Sequence, residues 1–361
     1  MKIRKVDAAG LNDWVDALTR NFTTYAPQAK DGQFAFDELY TSGDLRLDYD
    51  VSILPPKKYL QPQREVLLTF TTDGVFESVM NDKEFVVFGV HPYDMVAINQ
   101  MDKTFDKDHR DEHYFAYRDR ATIVVSDVQV ASKNVFAGCM GTATGADCEG
   151  HDVLLTQLED GYTLVEAKTE KGEVLMKLLA EVEVGASVGG GSGGGTAPFP
   201  DVDNADLEAR EAVWQANRDG LRKHELKIEP SELPRLLDRS YDHPVWEEKA
   251  KLCHSCGSCN MVCPTCYCFD VSDELNWDME SGQRTRCWDS CMTPAFAKVA
   301  GNHDFRPMAA ARYRHRYYRK GKYAYDAIGE ITCVGCGRCI SSCTTQIANP
   351  VEIYNRLLEN A

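Results

Sequence analysis

The chain has 361 residues, 43% of them hydrophobic, and a formal net charge of −16, enough for two or three domains with ordinary cores. No stretch approaches the roughly 18 consecutive apolar residues of a membrane span, and the N-terminus MKIRKVDAAGLNDWVDAL has no apolar signal-peptide core. A soluble, cytoplasmic protein is expected, and the acidity disfavours nucleic acid as a partner.

In chain order, residues 8–21 have helical apolar spacing, and residues 51–70 read as extended segments broken by Pro55, Pro56 and Pro62. EFVVFGV (84–90) predicts a buried strand, residues 92–105 a helix with Pro92 at its start, and ATIVVSDV (121–128) a second strand, together a βαβ unit. Residues 152–167 predict a hairpin turning at Asp160-Gly161, and a helix around 171–183 closes a mixed α/β domain over 1–184. GASVGGGSGGGTAPFP, within 185–202, is a Gly-rich linker by composition. A polar helix over 203–226 and short helical pieces then lead to the first cysteine of a second domain, 203–361.

Twelve of the 14 cysteines follow position 252. In a long chain without a secretory signal, that concentration points to metal rather than disulfides. Residues 1–240 hold 26 Lys and Arg against 42 Asp and Glu, whereas residues 241–361 hold 14 of each. The whole charge deficit therefore sits outside the cysteine-rich part.

CHSCGSCNMVC (253–263) and CVGCGRCISSC (333–343) both read C-x2-C-x2-C-x3-C. Three cysteines so spaced wrap one loop around a cubane, and in two-cluster bacterial ferredoxins the fourth cysteine of each run ligates the other cluster. Carried onto this chain, Cys253, Cys256, Cys259 and Cys343 would hold one 4Fe-4S cluster, and Cys333, Cys336, Cys339 and Cys263 the second. Pro264 follows Cys263 as that pattern expects, and Thr344 replaces the second proline. Structural zinc usually takes two separated pairs of ligands and has no need of a third cysteine in each loop.

The 69 residues between Cys263 and Cys333 also carry Cys266, Cys268, Cys287 and Cys291, either a third metal centre or buried thiols packing as small hydrophobes. Cys139 and Cys148 are two thiols without further partners, read as ordinary loop or buried residues. RPMAAARYRHRYYRKGK (306–322) is basic and aromatic; a helix facing the clusters or solvent is preferred to a nucleic-acid patch, because Arg and Lys offset cluster charge. His91, His254, His303 and His315 lack ligand spacing to a partner.

Several segments together resemble one family, the iron-sulfur beta subunit of cytoplasmic NAD(P)-linked sulfhydrogenases, related to the corresponding iron-sulfur subunit of anaerobic sulfite reductase. They are ILPPKKYLQPQREVLLTF, FGVHPYDMVAINQMDKTF, CMGTATG with DVLLTQLEDGYTLVEA, WEEKAKLCHSCGSCNMVCPTCYCFDV, RCWDSCM, AGNHDFRP and ITCVGCGRC. Members of that family often carry a cysteine where Tyr93 stands. The resemblance implies an α+β protein: a mixed α/β domain followed by a mostly helical two-cluster ferredoxin domain with a long insertion between the motifs. It further implies an anaerobic electron-transfer subunit, non-catalytic by itself. Such a protein relays single electrons between a flavoprotein NAD(P)H-linked partner and a separate catalytic redox subunit of hydrogenase, sulfite reductase or heterodisulfide-reductase type. Outside the Gly-rich linker no G-x-G-x-x-G occurs, and there is no nickel-type pair of CxxC motifs. The competing readings are a self-sufficient flavin oxidoreductase and a zinc-stabilised nucleic-acid-binding module.

Overall fold

The structure is a computed structural model that describes residues 2–188 and 199–359. Its fold is α+β, built on a seven-stranded mixed sheet. The strands of its two larger sheets are β1 (Lys2–Val6), β2 (Thr23–Lys30), β3 (Gln33–Glu38), β4 (Arg64–Thr71), β5 (Phe76–Ser78), β6 (Phe85–Val90), β7 (Ala121–Ser126), β8 (Val153–Gln157), β9 (Thr163–Ala167), β10 (Phe269–Leu275) and β11 (Ser281–Trp288). The large sheet runs β1-β9-β8-β7-β6-β2-β3. Its centre, β2, β6, β7 and β8, is parallel, and antiparallel strands close both edges.

Strand β6 reads FVVFGV without alternation because both its faces are covered. Val86 and Phe88 pack against the helix Ala8–Asn21, through Trp14 and Leu18, and against Leu175 and Leu179 of the helix Glu170–Val188. Phe85 and Val87 face Met95, Ile98 and Met101 of the helix Pro92–Asp106. That helix starts at Pro92, whose missing N–H costs nothing in a first turn. Strands β6 and β7 flank it in parallel as a βαβ unit, and β8–β9 form the expected hairpin.

The long helix Asn204–Gly220 lies across one end of the sheet. It is tied there by buried Asp127, whose carboxylate accepts from Trp214 Nε1 at 2.8 Å, Thr156 Oγ1 at 2.6 Å and the Gly145 N–H at 2.7 Å. This helix stops at Gly220, short of the expected 226. Of the expected linker, residues 189–198 lie outside the described residues, and the helix before it runs on to Val188.

A second sheet, β10-β11-β4-β5, is antiparallel throughout. It joins β4 and β5 of the first half to a hairpin from the insertion between the cysteine motifs, so strands from both sides of the linker share one sheet. The rest of the second half is helical, packed around Trp246, Tyr313, Tyr317, Ile353, Tyr354 and Leu357. Among the described residues no helix is long and apolar enough to cross a membrane.

Candidate metal centres

The two cysteine loops are built alike. In each, the residue after the second cysteine is a left-handed glycine, Gly257 (φ +78°) or Gly337 (φ +77°), which caps a single helical turn, Ser258–Met261 or Arg338–Ser342. The third cysteine, Cys259 or Cys339, sits inside that turn, and the fourth follows it. Two residues on, a threonine hydroxyl stands near the fourth sulfur: Thr265 Oγ1 is 3.3 Å from Cys263 Sγ, and Thr345 Oγ1 3.5 Å from Cys343 Sγ. Replacing the second proline by Thr344 leaves this turn intact.

Two cavities, each of about 430 Å³, receive the eight cysteines. Cys253, Cys256, Cys259 and Cys343 line the first, with His254, Met292 and Tyr313. Cys333, Cys336, Cys339 and Cys263 line the second, with Phe136, Arg316, Lys320 and Tyr354. Each cavity thus takes three thiols from one loop and the fourth from the other. The first opens at exposed Cys256, whose thiol is lowered by the Ser258 hydroxyl. Burial instead pushes the thiols of Cys259 and Cys333 up to about 12. A thiolate at either position therefore needs a cation against it.

Buried Arg316 and Lys320 line the second cavity, and buried Arg338 stands in its cysteine loop. Arg316 donates through Nε to Asn260 Oδ1 at 3.0 Å and through Nη2 to the Cys259 carbonyl at 3.2 Å, while its buried Nη1 has no partner. Lys320 donates to Thr265 Oγ1 at 2.6 Å, and Thr265 in turn to the Thr332 carbonyl. Arg338, between Cys336 and Cys339, makes a bidentate pair with Asp94, both contacts 2.6 Å. Burial drives the Asp94 carboxyl upward and Arg338 opposes it; the fork geometry and full burial of both partners are those of an ionised pair.

Asp94 belongs to the first turn of the helix Pro92–Asp106, so the first half of the chain reaches the second cavity. Further along that helix Gln100 donates to the Ile331 carbonyl at 3.0 Å. Thr142 donates to the Val334 carbonyl at 2.8 Å, and the Phe136 N–H to the Gly335 carbonyl at 2.7 Å. At Gly335 (φ +68°) an added Cβ would stand 2.6 Å from backbone atoms of Phe136 and Ala137. Only glycine lets the two backbones meet there.

The insertion cysteines are not gathered at one point. Cys266 faces Cys263, and Cys268 faces Cys291, which accepts from Asn260 Nδ2 at 3.1 Å. Cys287 lies on β11 between inward-facing Arg286 and Trp288. Alternation turns it to the opposite face, where Arg64 Nη1 is 3.7 Å from its sulfur. Among the described residues no three His, Cys, Asp or Glu side chains gather as closely as a single ion requires. Cys139 donates to the His224 carbonyl, and Cys148 is a buried thiol pushed upward by burial. His91 is fully buried, stacked on Tyr49 at 3.9 Å, with Nδ1 2.5 Å from the Tyr93 hydroxyl.

Asp94 and the segment at Phe136 escaped sequence reasoning because their partners lie some 200 residues away. Arg312, Arg316 and Lys320 left a signal: a four-residue spacing places them on one helical face, and all three are buried. Elsewhere, an open cleft of about 1480 Å³ lies between the ends of β7 and β8 and the helix Asn204–Gly220. Asp127, Glu159, Asp160, Asp203 and Asp206 line it, and its cation, Lys5, is bound by Asp160 and Asp206.

Residues 252–347 match the family model of the 4Fe-4S dicluster domain. The chain is 30% identical over 359 residues to the sulfhydrogenase 2 subunit beta of Pyrococcus furiosus, covering 99% of each protein. No solved structure matches. With its paired cysteine loops inside a dicluster domain and an end-to-end match at that identity, the chain belongs to the family of sulfhydrogenase beta subunits.

Proposed function

We propose that the chain is an iron-sulfur electron-transfer subunit of a hydrogenase-type complex, holding two 4Fe-4S clusters. One is held by Cys253, Cys256, Cys259 and Cys343, the other by Cys333, Cys336, Cys339 and Cys263. The observation that carries this reading is the crosswise lining of two cavities, each with three thiols from one loop and the fourth from the other. The surroundings fit an anionic occupant: among the described residues buried Lys320 joins no ion pair, and buried Arg316 Nη1 has no nitrogen or oxygen acceptor. When bound, a cubane takes up and releases one electron at a time.

The residues divide that work. The loop glycines hold the thiols in two short turns, the aromatic cluster of Trp246, Tyr313, Tyr317 and Tyr354 keeps water from the space between them, and exposed Cys256 gives the first cavity an edge at the surface. The insertion thiols are dispersed: Cys268 faces Cys291, Cys266 faces Cys263 of the first motif, and Cys287 turns away, which supports two centres rather than three.

The proposed partners are a flavoprotein that takes hydride from NAD(P)H and a separate catalytic subunit. One end of the four-stranded sheet supports a role within a larger complex: Phe76 and Leu275 at the ends of β5 and β10, and Trp277 and Met279 in the β10–β11 turn, are all exposed, as at a surface made for another subunit. The acidic cleft at the large sheet would repel a flavin phosphate, which weighs against a self-sufficient flavin enzyme. The basic segment turns Arg312, Arg316 and Lys320 inward, ties Lys322 to Asp238 and Asp326, and lays Arg314 and Arg319 on tyrosine rings. Little of it is left for a nucleic-acid surface.

The test is anaerobic reduction of the purified chain followed by visible absorption and EPR. NAD(P)H alone is expected to leave the chain oxidised, and NAD(P)H with the flavoprotein subunit is expected to reduce it. Reduction by NAD(P)H alone, with flavin bound to this chain, would replace the reading by the flavin-enzyme one.

A further inference from the structure

Two ammonium groups are buried beside the segment Cys263–Cys266 without a carboxylate. Lys57 is 2% exposed, donates to the Cys266 carbonyl and lies over the Trp288 ring at 4.3 Å. Lys320 is 6% exposed and bonds the Thr265 hydroxyl. Neither takes part in any ion pair among the described residues, although 26 such contacts tie down cations elsewhere in the chain. Removing an ammonium from water costs far more than one neutral hydrogen bond returns, so a buried lysine that keeps its charge needs an anion nearby.

The anions at hand are the thiolates of the second cavity. Cys263 lines that cavity and is followed two residues later by Thr265, the partner of Lys320. Four thiolates on an oxidised cubane leave about two negative charges, and an added electron makes a third. The two lysines come from unrelated places. Lys57 lies in the short helical turn Pro56–Tyr59 of the first half, and Lys320 in a π-helical turn, Arg319–Tyr323, that interrupts the basic helix. Such turns re-aim a side chain at the cost of a regular hydrogen bond. Arg316 differs from both, because it lines the second cavity while bonding the Cys259 carbonyl of the first loop.

We propose that Lys57 and Lys320 are the fixed counter-charges of the cluster held by Cys333, Cys336, Cys339 and Cys263, and set its reduction potential independently of the other cluster's. They are positioning residues, acting on the site through charge. The inference rests on the two-cluster reading above. A cation favours the more negative, reduced state, so its loss lowers the potential. In a cavity lined by buried side chains that effect is screened less than beside exposed Cys256.

The experiment is an EPR-monitored redox titration of the iron-loaded full chain, comparing wild type with Lys320→Gln, Lys320→Arg and Lys57→Gln. Glutamine at either position removes the charge but keeps a donor. Each glutamine variant is expected to make one cluster at least tenfold harder to reduce, a fall of about 59 mV or more for one electron, while the other stays put. Lys320→Arg should titrate as wild type. If Lys320→Gln fails to load, the Lys57→Gln titration decides. Unchanged midpoints in a loaded glutamine variant, or equal falls in both clusters, would overturn the inference. A wild-type chain that binds no iron would instead defeat the two-cluster reading itself.

Discussion

At the level of single residues, the contact between the halves turns on Asp94 and Arg338. Removing one member of a fully buried ion pair strands the other charge, at a cost of about 3–5 kcal/mol. Asp94→Ala should therefore lower the urea midpoint sharply under anaerobic conditions, and Asp94→Ala with Arg338→Met should recover part of the loss. A midpoint for the single variant equal to wild type would show that the pair is solvated. Four histidines give the chain an acid sensitivity. Burial holds His91 well below 6.5, His151 and His315 at about 4, and lowers His243 as well. Below pH 6.5 the unfolded chain binds protons that these rings refuse. Stability is thus fully present above pH 6.5 and falls on acidification by up to about 1.4 kcal/mol per pH unit for each ring. His151→Gln should flatten the decline of the urea midpoint between pH 6.5 and 5.5 by about a quarter to a third; an unaltered slope would show that His151 takes up its proton while folded.

At the scale of elements, the glycines of CVGCGRC matter as much as its cysteines. Gly335→Ala forces a side chain into a left-handed position and against the Phe136–Ala137 backbone, and should cost the second cavity its cluster, leaving about four of eight irons. Full iron content in that variant would show that the 134–137 segment yields. The elements legible in the sequence were those with a strong local period or punctuation: β6 with its unbroken apolar run, the helix begun by Pro92, the hairpin at Asp160-Gly161. The hairpin β10–β11 was not legible. Every residue of β10 is exposed, so burial imposed no alternation. It is held by backbone pairing to β11 and, through β11, to β4. Arg64–Glu274 at 2.8 Å adds a link across more than 200 residues. Its tip offers a separate test: Trp277→Ser should loosen association with partner subunits in co-purification and leave iron content unchanged. Undiminished association would place the subunit interface elsewhere.

For the molecule as a whole, the first half acts as a seat for the second cysteine loop. It supplies Asp94, Gln100, Phe136 and Thr142 to that loop and Lys57 to the neighbouring segment, and its acidic surplus stays on other faces such as the cleft at β7 and β8. The ligand candidates were readable from spacing, because cluster chemistry demands particular residues at particular intervals. The charges around them were not, since their partners come together only through the fold. The central claim is the crosswise sharing of thiols, and EPR of the reduced chain with single Cys→Ser substitutions tests it most directly. The account predicts that Cys343→Ser alters the same cluster signal as Cys256→Ser, and Cys263→Ser the same signal as Cys336→Ser. If Cys343→Ser instead alters the signal changed by Cys336→Ser, each loop holds its own cluster and the account is contradicted.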